Sequence, residues 1–187
     1  MKTLKNITLF VLATFISAAA FAQDGTTADH AVTTQFNDIT IIDIESAGTD
    51  NDVTLQADMS GFEAGAAIAN QSYASNSDLW INWTVFAPEE AGSYNVLVEA
   101  NNDLNDGWGL NVSVLSVNAQ QGGGQGQTGV ELNNTAKQIV SDINNIAWTG
   151  DGDGNGANIK YDLMLRDAEN ISSSGETITV TYTIAKQ

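Results

Sequence analysis

Asp151-Gly152-Asp153-Gly154-Asn155-Gly156, with Asp162 six residues further on, sets carboxyl and amide oxygens at alternate positions of a glycine-rich run. A hard cation such as calcium takes roughly six to eight oxygens on a sharply curving backbone, and this spacing could supply several of them. The run matches the calcium-loop pattern D-x-[DN]-x-[DN]-G and puts an acid, Asp162, at its twelfth position. Asp151, Asp153, Asn155 and Asp162 are therefore the candidate metal ligands. Three departures weigh on the other side. The twelfth residue is Asp rather than the longer Glu, Asn158 stands where an apolar residue is common, and a strand pattern follows instead of a helix. The competing reading is a solvated turn, because Asp, Asn and Gly make turns without any metal. Asp50-Asn51-Asp52 and the stretch 101–106 are weaker acidic turns of the same kind.

A second chemistry lies in the aromatic residues. In Leu79-Trp80-Ile81-Asn82-Trp83-Thr84-Val85-Phe86 a period of two puts Leu79, Ile81, Trp83 and Val85 on one face and Trp80, Asn82, Thr84 and Phe86 on the other. The first set is core. The second mixes rings with polar groups, as a carbohydrate platform or partner-binding face does, and Trp80, Phe86 and Trp108 are the candidate ligand-binding residues. The ordinary alternative is that a loop or a second sheet covers them. Trp108 and Trp148 sit beside turns, where each reads more readily as core than as a ligand contact.

Enzyme signatures are absent from the sequence. There is no cysteine and a single histidine, His30, so neither a thiol nucleophile nor a cysteine–histidine zinc set can be assembled. No G-x-S-x-G elbow accompanies His30. The glycines at 122–126 lack the lysine of a phosphate-binding loop. Nothing selects a catalytic pair from the 23 acids.

Strands must position these residues. Thr177–Ile184 alternates threonine with Ile178, Val180, Tyr182 and Ile184, and 158–166 alternates Ile159, Tyr161, Leu163 and Leu165 with polar partners. Further strands are predicted at 31–36, 39–45, 53–57, 79–86, 94–100, 108–117 and 143–148, separated by Gly, Asn, Asp and Pro turns. Residues 60–70 could hold a helical turn, and 134–143 fits either a short helix or a strand. The run QQGGGQGQTG at 120–129 has little to bury and is predicted to be a flexible loop inside the domain. If 39–45 or the last strand lies at a sheet edge, its free backbone groups could pair with a neighbouring subunit. The expected fold is all-β: one sandwich of about nine mostly antiparallel strands, immunoglobulin-like or pilin-like.

The first 22 residues read as a secretory signal, with Lys2 and Lys5, an uncharged stretch from Ile7 to Ala20, and Ala20-Phe21-Ala22 before the cut. An exported protein at the periplasm, cell surface or exterior follows, with no membrane span once the signal is cleaved. The chain carries a formal net charge of −17. Removing the signal leaves four basic residues against 23 acids, a net of −19. Such a surface disfavours nucleic acid, whose binding needs a basic footprint, and would attract divalent cations.

Asp78-Leu-Trp-Ile-Asn-Trp83, Thr149–Gly156 leading into Tyr161-Asp-Leu163, and Thr179-Val-Thr-Tyr-Thr-Ile184 together resemble a group of small exported bacterial proteins. More distantly they are similar to surface and pilin-like β-sandwich domains. The resemblance implies an architecture and an extracytoplasmic setting, and it carries no catalytic residue. The expected function is a non-enzymatic exported structural or adhesive component of a surface or appendage, with calcium as a candidate stabiliser and other surface proteins or copies of itself as partners. The alternative is a carbohydrate-binding module using exposed aromatic residues.

Overall fold

The computed structural model describes residues 30–35, 37–61, 63–68, 71–104, 107–171 and 175–187. The predicted signal stretch lies outside them. Among the described residues ten strands make two antiparallel sheets: β1 Ile39–Ser46, β2 Ser72–Phe86, β3 Ser93–Ala100, β4 Trp108–Asn118, β5 Gln125–Gly126, β6 Val130–Glu131, β7 Lys137–Asn144, β8 Ile146–Trp148, β9 Gly156–Leu165 and β10 Val180–Lys186. The larger sheet runs β1-β2-β9-β4-β6, with β8 also paired to β2, and the smaller runs β10-β3-β7-β5. All ten strands fall in the unit Phe36–Gln187. No helix among the described residues is long and apolar enough to cross a membrane.

Period-two alternation explains the layering. On β2, Leu79, Ile81, Trp83 and Val85 are buried while Thr84 and Phe86 are exposed. Val112 and Val114 of β4 and Ile159 and Tyr161 of β9 join them from the same sheet, and Val96, Val98, Val140 and Ile143 come from the other. One apolar cluster with contributions from both sheets is a sandwich core. Each fully buried Ile or Val contributes about 1.5–3 kcal/mol.

Several expectations change. The segment 134–143 resolves as strand, since β7 covers most of it. The stretch 143–148 divides between the end of β7 and β8, with Asn145 at the break donating to the carbonyls of Ala87 and Glu90. Residues 31–35 and 53–57 are not strands, although Val53 and Leu55 pack against the core from an irregular segment. No helix forms at the described residues of 60–70.

The Gly/Gln run is not the loose loop expected. Gln125–Gly126 pairs with β7, Gln121 bridges Trp148, and the chain crosses between the sheets while lying directly on the core. Glycine makes this possible: a Cβ on Gly126 would stand 2.3 Å from Val114 Cγ1. The segment buries its neighbours' apolar atoms under bare backbone, which composition alone does not reveal.

Candidate functional site: the outer face of the large sheet

Residues directly opposite on paired strands share a face. Across β1, β2 and β8 this aligns Ile39, Phe86 and Ile146 in one row and Ile41, Thr84 and Trp148 in the next. Asp43 and Asn82 form the third row, and Glu45 and Trp80 the fourth. All point away from the core. Phe86 and Trp148 are diagonal neighbours on this face, a relation that sets Cα atoms about 7–8 Å apart. Both remain open to solvent, at 37% and 41% exposure. Ile41, Asp43, Asn82, Phe86, Trp148 and Asp151 line a shallow groove of about 440 Å³.

The glycine-rich motif shapes one wall of this groove. β8 and β9 run along the same side of β2: Trp148 lies opposite Thr84, and the chain rejoins with Ala157 opposite Ile81. Residues 149–156 make the excursion between them. Thr149, fully buried, holds the departure point: its Oγ1 accepts from the Trp83 backbone N–H at 3.1 Å and donates to the Gly150 carbonyl at 2.8 Å. Thus Trp83, at the gap between the two strands, finds a hydroxyl acceptor in place of a strand carbonyl.

Amide side chains hold the rest of the excursion. Asn155 Nδ2 donates to the Asp151 carbonyl at 2.7 Å, Asn82 Nδ2 to that of Gly152 at 3.1 Å, and Asn118 Nδ2 to that of Gly154 at 2.7 Å. Gly150, Gly152, Gly154 and Gly156 all have positive φ. Gly156 could be nothing else, because a Cβ there would sit 2.0 Å from the Ile81 carbonyl oxygen.

Of the four residues expected to ligate calcium, Asp151, Asp153 and Asn155 share this loop and Asp162 does not join them. Asp162 lies six residues along β9 from Gly156, about 20 Å at about 3.3 Å per residue. There it pairs with Lys160 Nζ at 2.8 Å and accepts from Ser72 Oγ at 3.1 Å. A loop that closes a calcium shell by turning back into a helix cannot do so when it runs into a strand. The carbonyls of Asp151, Gly152 and Gly154 meanwhile accept from amides. Among the described residues no three acidic, histidine or cysteine side chains gather in one place.

The three aromatic candidates also separate. Phe86 lies in the groove. Trp80 shares its face but stands six residues along β2, beside Glu45 and Asn158. Trp108 is opposite buried Leu165, hence on the core side, where its ring meets Tyr73 edge-on at 5.8 Å and 87°. Trp148, which like Trp108 reads from sequence more readily as core, is exposed alongside Phe86. Its parity with Ile146 was the available signal, but only the pairing of β8 with β2 shows which parity faces out.

No protein-family model, curated protein or solved structure matches the chain.

Both strands for which an edge position would leave backbone groups open do lie at edges: β1 ends the large sheet and β10 the small one. At Ile44 the β1 edge is covered locally, its N–H donating to Asp43 Oδ1 at 2.8 Å and its carbonyl accepting from Asn51 Nδ2 at 2.9 Å.

Proposed function

We propose that this chain is a non-catalytic, exported adhesive module that binds saccharides in the groove on the outer face of its large sheet. The observation that carries the reading is the exposed diagonal pair Phe86 and Trp148 beside Thr84, Asn82, Asp43 and Asp151. Sugar rings present an apolar C–H face and a rim of hydroxyls. Aromatic rings take the first through their electron-rich faces, and carboxylates and amides accept from the second. Strands hold every one of these side chains except Asp151, which the amide-pinned loop positions, so little ordering is required on binding.

Intrinsic fluorescence tests this directly, since Trp148 is the tryptophan a ligand in the groove would cover. Titration with a broad glycan panel should shift the emission, and Trp148→Ala and Phe86→Ala should each weaken binding at least about tenfold without lowering the melting temperature. Emission indifferent to every glycan would overturn the assignment.

A further inference from the structure

The charge of the groove says which saccharides it would favour. Asp43 and Asp151 line it, and among the described residues no Lys, Arg or His does. The chain's basic residues beyond the signal stretch are all engaged elsewhere. Lys160 pairs with Asp162, Lys186 with Glu90, and Arg166 with Glu131 while also donating to Asn111; Lys137 donates to the Glu131 carbonyl. Asp43 gives one oxygen to the Ile44 N–H and keeps the other for a ligand. Asn82, opposite Asp43 and only 5% exposed, spends its Nδ2 on Gly152 while its Oδ1 is buried on the side of Gly156, so the two carboxylates are what the groove offers a ligand. The polar part of the groove is therefore acidic and uncompensated in charge, set against an aromatic pair.

We infer that the groove selects amine-bearing oligosaccharides, glucosamine-type chains whose ammonium groups lie between Asp43 and Asp151 while a ring face rests on Trp148 and Phe86. This rests on the saccharide reading above and narrows it. A neutral sugar would use only the aromatic pair and hydroxyl contacts. An ammonium adds a charge-assisted hydrogen bond to a carboxylate, about twice as strong as a neutral one. A basic peptide would satisfy the acids but offers no rigid C–H face for the two rings, so the amino sugar is the better match to the whole surface.

Calorimetry on the full chain separates the possibilities, using a glucosamine oligosaccharide and its fully N-acetylated counterpart of equal length in buffer that keeps the amines protonated. The amine form should bind about tenfold tighter, the size of one charge-assisted contact. Asp43→Asn, which retains an acceptor for Ile44, and Asp151→Asn should each remove that preference, bringing the affinity of the amine form down to that of the N-acetylated one. Trp148→Ala should lose both ligands. Glu169→Gln, beyond the far end of β9, should change neither and so controls for general attraction to an acidic protein. Equal, Trp148-dependent binding of the two oligosaccharides would overturn amine selection while leaving the saccharide site standing. Binding of neither would overturn both readings. A lysine-rich peptide of equal charge bound as tightly as the glucosamine chain, or a Glu169→Gln loss equal to that of Asp43→Asn, would reduce the preference to bulk electrostatics and overturn it.

Discussion

The hydroxyls of Tyr161 on β9 and Tyr182 on β10 meet 2.5 Å apart, one from each sheet, in the interior of the sandwich. Burial raises both phenols. Tyr161 is pushed up to about 12, its hydrogen bond to Tyr182 acting weakly in the other direction. Tyr182 is also driven well above the ordinary value by burial, and then by the charge Tyr161 would carry. In the unfolded chain both ionise near about 10. Above that pH the unfolded state binds fewer protons than the folded one, so stability falls as pH rises. The contribution is complete below about pH 10 and is lost progressively toward about pH 12 and beyond. Urea unfolding measured in steps from about pH 8 to about pH 11 should show this decline. The double replacement Tyr161→Phe with Tyr182→Phe should flatten it with little change at neutral pH, since both partners leave together. Either single replacement strands one buried hydroxyl and should cost about 1–3 kcal/mol. A wild-type profile flat across this range would contradict the buried pair.

Thr149 supplies a hydroxyl at the gap between β8 and β9, and the Trp83 N–H donates to it. Thr149→Val keeps the shape and removes the acceptor, leaving a buried backbone donor unpaired. The expected loss is about 1–3 kcal/mol in urea unfolding. Thr149→Ser, which retains the oxygen, should lose less than half as much. Equal losses would mean that packing, and not this hydrogen bond, sets the value of the position.

Why the strands were legible and the site was not comes down to what alternation encodes. Ile178, Val180, Tyr182 and Ile184 share a parity, and so do Leu79, Ile81, Trp83 and Val85, because one face of each sheet is dry. That pattern states which residues belong together, but not which strands are neighbours. Trp148 was misread for this reason: its exposure depends on β8 lying against Thr84 of β2, a contact 64 positions apart in sequence. The N-terminal half of β2, Ser72–Asp78, carries almost no apolar signal and is strand because β9 pairs with it. The Gly/Gln run failed in the opposite sense, since backbone without side chains can be as tightly placed as any apolar residue when Val114 and Trp83 lie beneath it. In the motif at 151–156 the turn was readable from its glycines, whereas the amides that hold it, Asn82 and Asn118, come from two other strands.

That arrangement makes the motif's backbone more sensitive than its acids. Gly156→Ala must adopt a positive φ and push against the Ile81 carbonyl, and should cost at least about 2 kcal/mol. Asn118→Ala removes a hydrogen bond to the loop and should cost about 1 kcal/mol. Asp153→Ala, at an exposed side chain, should stay within about 0.5 kcal/mol. Because Asp162 lies with Lys160 and not with the loop, added calcium should leave the melting temperature unmoved in all four proteins. A calcium-dependent rise in the wild type that Asp153→Ala abolishes would show that the loop takes a metal after all.

The edge of β1 carries its own protection. An edge strand exposes unpaired N–H and C=O groups that can template pairing with another chain, and flat apolar edges are the most prone to it. β1 has exposed Ile39 and Ile41 on its outward face, yet at Ile44 both main-chain groups are occupied by Asp43 and Asn51. A charge and an amide at this point interrupt the row of open groups and leave only the first part of the strand able to pair. Replacing both, Asp43→Ala with Asn51→Ala, lengthens the open edge and removes a repelling charge. The double variant should self-associate at concentrations where the wild type is dispersed, read by light scattering as a rise in apparent mass, with thioflavin fluorescence separating ordered pairing from amorphous collapse. Asp43→Asn retains the acceptor and should stay dispersed, which distinguishes the hydrogen-bonded cap from the charge alone. Unchanged scattering for the double variant would mean that edge pairing at β1 is limited by something other than these two side chains.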